Sequence, residues 1–259
     1  MKILMAGCGK MGGAMLSRWT GGEMPAITVV DPADVDTPNR IRHVRSIEAL
    51  KGEKYDALIV AVKPQMMEDV LPPYARLLRP GAFALSIAAG VPAERVSRLL
   101  GKVPVARVMP NLPAACGQGM SALFAQDGVT ATQKVLVGKL VSATGEIAWI
   151  EDEARIDMFT ALAGSGPGYV FEIMRALQQI AEERGFTPIE ARQIAVETVA
   201  GAGELARRDA RSLEQLRDDV TSPGGTTDAG LTVLRRDRGV RGLLEDTVDA
   251  AFDRAVELR

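Results

Sequence analysis

The chain predicts an α/β architecture: a doubly wound parallel sheet over its first half and an all-helical second half. Two observations carry that prediction. Up to about residue 150, short apolar and β-branched runs alternate with helical stretches, and strands spaced by helices build parallel βαβ units. Beyond Glu151 few strand-like runs remain, and apolar residues such as Ile156, Phe159 and Ala163 recur at helical spacing. The strands read as continuous apolar runs, as a sheet covered on both faces requires.

In order along the chain, the expected strands are 2–6, 27–30, 57–62, 83–87, 103–109, 120–125 and 146–150. Each is mostly apolar, and several end abruptly: Gly7 after the first, Asp31-Pro32 after the second, Lys63-Pro64 after the third, Pro110 after the fifth. The helices expected between them are 11–21, 65–78, 92–100 and 131–143. In the second half two helix starts are well marked. Thr187-Pro188-Ile189-Glu190 places a capping threonine, a proline at the first helical position and a glutamate three after the cap. Ser212-Leu213-Glu214-Gln215 follows the same logic. The division therefore falls near residue 150, into segments 1–151 and 152–259, with no internal repeat and no low-complexity linker.

Composition narrows the function classes. Lys and Arg number 31 against 33 Asp and Glu, a net charge of −2, and no long run of like charge occurs; Arg207-Arg208 and Arg235-Arg236 read as solvated helix faces. Nucleic-acid binding, which needs concentrated cations, is not expected. The two cysteines, Cys8 and Cys116, lie far apart and cannot build a disulfide framework or a zinc site. No stretch approaches membrane-spanning length, and the apolar start is too short for the core of a signal peptide, so the chain reads as soluble and cytoplasmic. The single histidine, His43, sits in a polar segment and reads as a surface residue, which removes Ser-His and Cys-His hydrolase readings.

Gly7-Cys8-Gly9-Lys10-Met11-Gly12 is a G-x-G-x-x-G turn between the first strand and the first helix, the setting in which that motif cradles a dinucleotide. Gly7 permits the tight turn, Gly9 lets a pyrophosphate approach the backbone, and Gly12 allows close helix–strand packing. The free N–H groups at the helix start then face the phosphates. The first half is thus Rossmann-like. Asp31, at the end of the second strand, stands where an acidic residue bonds a ribose 2′-hydroxyl and favours NADH, or it is a plain turn residue before Pro32. Arg40 and Arg42 lie downstream and could serve a 2′-phosphate.

Other segments suit ligand contact. Val62-Lys63-Pro64 follows a strand end, where ligands lie in open α/β sheets; Lys63 is read as near the cofactor, the alternative being a solvated loop lysine. Asn111 also follows a strand end, where it faces the nicotinamide amide or caps the loop 110–113. Ser222-Pro223-Gly224-Gly225-Thr226-Thr227 precedes a helical run at 228–234 and offers backbone N–H groups and uncharged hydroxyls to a small carboxylate; its alternative is an elaborate helix cap. Gly164-Ser165-Gly166-Pro167-Gly168 interrupts a helical pattern and reads as close packing beside the active site.

The segments Val60–Gln65 in Val-Ala-Val-Lys-Pro-Gln, Val105-Ala106-Arg107-Val108-Met109-Pro110-Asn111-Leu112-Pro113, Ala163-Gly164-Ser165-Gly166-Pro167-Gly168-Tyr169 and Val220-Thr221-Ser222-Pro223-Gly224-Gly225-Thr226-Thr227, taken in order with the glycine turn, resemble pyrroline-5-carboxylate reductases over nearly the whole chain. The T-S-P-G-G-T-T segment is the characteristic one. The resemblance implies a Rossmann domain followed by a helical dimerisation domain, an active site completed between subunits, NADPH or NADH as hydride donor, 1-pyrroline-5-carboxylate as substrate, L-proline as product, and a homodimer or ring of dimers. It also places the threonine matching Thr227 close to the substrate ring nitrogen, and implies substrate contacts from Ser222 to Thr227. NADPH is the usual donor in that family whereas Asp31 points to NADH, so both stay open. A β-hydroxyacid dehydrogenase is the enzyme rival, but the catalytic lysine expected shortly after its last helical glycine is missing from Tyr169-Val170-Phe171-Glu172-Ile173-Met174-Arg175. A nucleotide-sensing module is the non-catalytic rival, with cofactor binding but no turnover.

Overall fold

A computed structural model describes residues 1–19, 25–38 and 41–259. The end of the helix expected at 11–21 and Arg40 lie outside the described residues.

Among the described residues eight strands form one sheet: β1 (Lys2–Ala6), β2 (Ala26–Val30), β3 (Arg42–Val44), β4 (Tyr55–Val60), β5 (Leu78–Ser86), β6 (Val105–Met109), β7 (Gly119–Ala125) and β8 (Gly145–Trp149). Their spatial order is β3-β2-β1-β4-β5-β6-β7-β8. Every neighbouring pair is parallel except β6 with β7, which is antiparallel, so the sheet departs from the all-parallel expectation at that one pair. The reason is local. A short loop, with a 3-10 turn at Leu112–Cys116, returns the chain directly, and only a long crossover could have kept the strands parallel.

Consecutive residues of β1 serve opposite faces. Leu4 and Ala6 join one buried cluster with Leu58, Val60 and Tyr74; Ile3 and Met5 join another with Met15, Leu16 and Ile59. Both faces are dry, which is why the strand reads as unbroken apolar sequence. Each such Leu, Ile or Met contributes about 1.5–3 kcal/mol by leaving water.

The helices are α1 (Lys10–Arg18), α2 (Met67–Val70), α3 (Ala93–Leu99), α4 (Ala131–Ser142), α5 (Arg155–Phe159), α6 (Gly166–Glu183), α7 (Pro188–Arg208), α8 (Leu213–Asp219), α9 (Thr226–Leu234) and α10 (Gly239–Glu257). The helix expected over 65–78 is instead a 3-10 turn at Pro64–Met66, the single turn α2, and a second 3-10 stretch at Pro72–Leu77. Pro72 and Pro73 supply no N–H and block a continued α-helix, so the last part of the segment runs into β5 at Leu78. The short edge strand β3 lies between the second and third expected strands, where no strand was expected. The two capping boxes at Thr187/Glu190 and Ser212/Gln215 form as expected, each with reciprocal hydrogen bonds. The glycine-proline segment after Ala163 does not open a gap. α5 runs on into a π-helical turn at Thr160–Gly164, closed by Ser165 N–H donating to Thr160 O at 2.8 Å, and Pro167 sits in the first turn of α6, where a missing N–H costs little.

The chain groups into two compact units, Met1–Ser165 with Ala251–Arg259, and Gly166–Ala250. In the first unit Arg107 is nearly fully buried on β6 and pairs with Glu153 at 3.0 Å, and the same Glu153 oxygen accepts from Ala93 N–H at the start of α3 at 2.7 Å. The last residues return to this unit: Arg259 pairs with the buried Asp157. A buried carboxylate without its partner is costly. Arg259→Ala is expected to destabilise the protein by about 1–3 kcal/mol, and adding Asp157→Asn should recover part of that loss. Chemical denaturation of the two single variants and the double variant reads this cycle; strictly additive effects would show that the pair is not coupled.

In the second unit α6 packs along α7. Val170, Phe171, Ile173, Leu177 and Ile180 on α6 remain exposed in the single chain, an apolar surface of the kind that marks an interaction site. No described helix is long and apolar enough to cross a membrane.

Candidate active site

Strand order reverses at β1, whose neighbours are β2 on one side and β4 on the other. Crevices at such a switch point, beyond the carboxyl ends of the strands, are where open α/β sheets bind ligands. Here the glycine turn follows β1 and Ala61-Val62-Lys63 follows β4.

The three motif glycines have three separate reasons to be glycine. Gly7 has φ +83°, and a Cβ there would stand 2.9 Å from Ala61 O and 3.0 Å from Val62 Cγ1. Gly12 is buried, and a Cβ would meet Met5 Cε at 2.7 Å and Ala61 Cβ at 3.2 Å. Gly9 is different: nothing lies within 4 Å of where its Cβ would be. It is the N-cap of α1 without a side-chain cap, so the helix start leaves N–H groups for another acceptor. Open space at the one glycine where a pyrophosphate must approach, beside unsatisfied donors, fits a dinucleotide. Lys10 opens α1 and is exposed; Met11, one residue on, is partly buried against the sheet.

Asp31 is not a loose turn residue. Its Oδ2 accepts from Cys8 N–H at 2.6 Å and its Oδ1 from Ala33 N–H at 2.9 Å, which fixes the carboxylate at the edge of the glycine turn. Its charge is felt nearby. Burial first and Asp31 second push the Cys8 thiol up, and burial with the charges of Asp31 and Glu48 pushes the Tyr74 hydroxyl up to about 12. His43, expected on the surface, lies half-buried in β3 with Nε2 2.8 Å from Asp31 O, where it ties the edge strand to the end of β2.

Lys63 is exposed and precedes the 3-10 turn that Pro64 opens, with Val62 half-buried beside Gly7. Asn111 is buried, and its side chain does not cap the loop that follows. Its Oδ1 accepts from Met120 N–H at 2.9 Å and its Nδ2 donates to Ala163 O at 3.0 Å, so the amide links the end of β6, the start of β7 and the π-helical turn.

In the helical half, α9 begins at Thr226, two residues before the expected start, so Thr226 and Thr227 are its first two residues and Gly225 is its N-cap. Gly225 brings no side-chain cap, Gly224 has φ +71°, and Gly225 N–H is bonded to Ser222 O at 2.9 Å. The helix start therefore keeps free backbone donors, flanked by the exposed Ser222 and Thr226 and the half-buried Thr227. Pro223, exposed, fixes the entry of the turn. Asp228, which sequence reasoning passed over, accepts from Gly224 N–H at 3.0 Å and braces the turn from the first turn of α9. An acidic residue in the first helical turn was the available signal.

Residues 153–258 match the family model described as pyrroline-5-carboxylate reductase dimerisation. A pyrroline-5-carboxylate reductase of Pseudomonas aeruginosa is 34% identical over 99% of this chain and 96% of its own length. The chain belongs to the pyrroline-5-carboxylate reductase family. A solved pyrroline-5-carboxylate reductase of Coxiella burnetii superposes with a TM-score of 0.89 at 32% identity, covering 99% of this chain and 97% of that one. The Plasmodium falciparum pyrroline carboxylate reductase, solved with NADP bound, has a TM-score of 0.84 at 24% identity over 100% and 98%, and supports the fold. As a member of the reductase family with a matched dimerisation region, the chain is a homo-oligomer acting on a small molecule, and the exposed apolar residues of α6 fit that assembly.

Proposed function

We propose that the chain reduces 1-pyrroline-5-carboxylate to L-proline with NADH or NADPH, the last step of proline biosynthesis. The observation that carries this reading is full-length kinship, through both the glycine-turn half and the helical half, to reductases of that name. We take residues 1–151 as the dinucleotide-binding domain and 152–259 as the helical dimerisation and substrate domain, in a cytoplasmic dimer or ring of dimers.

The nicotinamide cofactor, when bound, supplies the hydride. Gly7, Gly9, Lys10, Met11 and Gly12 would form its pyrophosphate seat, Asp31 its ribose contact, and Val62, Lys63 and Pro64 the neighbouring wall at the switch point. Asn111, held by Met120 N–H and Ala163 O, keeps one N–H and one oxygen lone pair and would face the nicotinamide amide. The substrate is a five-membered ring with a C=N bond and a carboxylate. The carboxylate suits the free N–H groups at the start of α9 and the hydroxyls of Ser222 and Thr226, with Pro223, Gly224 and Gly225 shaping the turn. A protonated ring nitrogen makes the imine carbon, C2 of the pyrroline and C5 of the product proline, the electrophile. Hydride adds to that carbon, the C=N π pair goes to nitrogen, and that nitrogen retains its proton. Thr227 Oγ1 would accept from the iminium N–H and orient the ring. Such a reaction needs positioning more than a strong acid, which accounts for a site rich in glycine and hydroxyl groups.

Mixing the purified chain with pyrroline-5-carboxylate and following nicotinamide absorbance tests this reading. Substrate-dependent oxidation of NADH or NADPH is expected. Dinucleotide binding with no oxidation of either would favour a sensing module instead. Sedimentation of the full chain is expected to give at least a dimer; a monomer at micromolar concentration would contradict the assembly.

A further inference from the structure

We infer that this enzyme prefers NADH to NADPH and that Asp31 is the residue that sets the preference. The inference rests on the glycine turn being the dinucleotide seat, and it goes beyond the reaction itself. Asp31 directly follows β2, beside β1, the position from which a carboxylate reaches the adenosine ribose of a dinucleotide lying over the turn. Its carboxylate is fixed there by two backbone donors, Cys8 N–H and Ala33 N–H, each to a different oxygen. Each oxygen keeps a further lone pair, so a 2′,3′-diol can donate to it without displacing either bond. A 2′-phosphate brings two negative charges and no donor to the same place, and would face this carboxylate directly.

A phosphate could still be accepted if cations answered the charge, and the described residues argue against that. Residues 31–38 contain Asp31, Asp34 and Asp36 and neither lysine nor arginine. Arg42 is engaged by Glu53 at 2.6 Å, and Arg45 pairs with Asp34. His43 is turned to the main-chain oxygen of Asp31. Lys10 opens α1, on the pyrophosphate side of the turn, and Lys63 follows β4, across β1 from β2. Among the described residues the ribose end of the seat therefore carries a fixed carboxylate, two further acids, and arginines already matched by acids.

The test is dinucleotide affinity by calorimetry with NAD+ and NADP+, together with kcat/KM for NADH and NADPH, on the full chain and on Asp31→Ser, Asp31→Asn and Arg40→Ala. Arg40 is included because it lies outside the described residues. The wild type is expected to favour NADH and NAD+ by about tenfold or more, and Asp31→Ser to shrink that ratio by about tenfold through weaker NADH and stronger NADPH binding. Asp31→Asn keeps an acceptor for Cys8 N–H, so it carries the comparison should the serine variant unfold. Equal or tighter NADP+ binding by the wild type overturns the inference, as does an unchanged ratio in both Asp31 variants. An Arg40→Ala change that moves the ratio further than either Asp31 variant does also overturns the inference. Affinity and turnover separate the two claims. NAD+ preference without imine reduction would sink the reaction and spare this inference, whereas efficient turnover with NADPH preferred would do the reverse.

Discussion

Thr227→Ala is expected to lower turnover roughly 10- to 100-fold while dinucleotide affinity stays within about twofold of wild type. Thr227 is the second residue of α9, half-buried, behind a glycine N-cap that contributes no side chain. A hydrogen bond to a charged partner is worth about 1.5–3 kcal/mol, and this one would be made to the iminium nitrogen as hydride arrives. Thr227→Ser should retain most of the rate, because it keeps the hydroxyl and loses only a methyl group. Single-turnover and steady-state rates for both variants check this. An alanine variant as fast as wild type would remove Thr227 from the chemistry and leave the turn as a helix cap.

Gly7→Ala should be the most damaging single change in the glycine turn. The backbone there has φ +83°, a left-handed conformation that costs a side chain about 1–2 kcal/mol. The added carbon would also stand 2.9 Å from the carbonyl oxygen of Ala61, which is fixed by Ala61 N–H bonding Ala6 O at 2.8 Å and cannot swing aside as a side-chain tip could. A loss of roughly 2–4 kcal/mol in stability is expected, with NADH affinity falling by about tenfold or more. Gly9→Ala is the control that separates the two effects. Its Cβ has open space, so stability should hold while the dinucleotide is displaced. Denaturant unfolding with NADH fluorescence titration reads both. Equal stability losses at the two glycines would mean that Gly9 is structural and the seat has been misplaced.

Much of this architecture is legible in the sequence where a segment is buried on both faces, because burial then writes an unbroken apolar run. β1 matches its expected bounds for that reason, and the capping boxes at Thr187 and Ser212 are legible because their partners lie three residues away. β3 is not legible: Arg42-His43-Val44 is an exposed edge, formed by pairing with β2 and by the His43–Asp31 contact rather than by composition. The helix expected over 65–78 fails at Pro72-Pro73, where the apolar period continues but the hydrogen bonds cannot. α9 starts earlier than expected because Gly225 serves as N-cap and Asp228 braces the turn, which carries helix through two threonines with modest intrinsic preference for it. In the site, the glycines, Asp31 and the 222–227 turn are visible as motifs. The employment of Asn111 is not, since one partner is the carbonyl of Ala163, 52 residues away on a π-helical turn that no periodicity announces.

The most direct measurement is isotopic. The purified chain is given pyrroline-5-carboxylate and nicotinamide cofactor carrying deuterium at the transferable position, and the product is read by mass spectrometry and NMR. L-Proline one mass unit heavier, with a single deuterium on C5, is expected. Proline without label, or label in the cofactor and no proline formed, would contradict the proposed reduction.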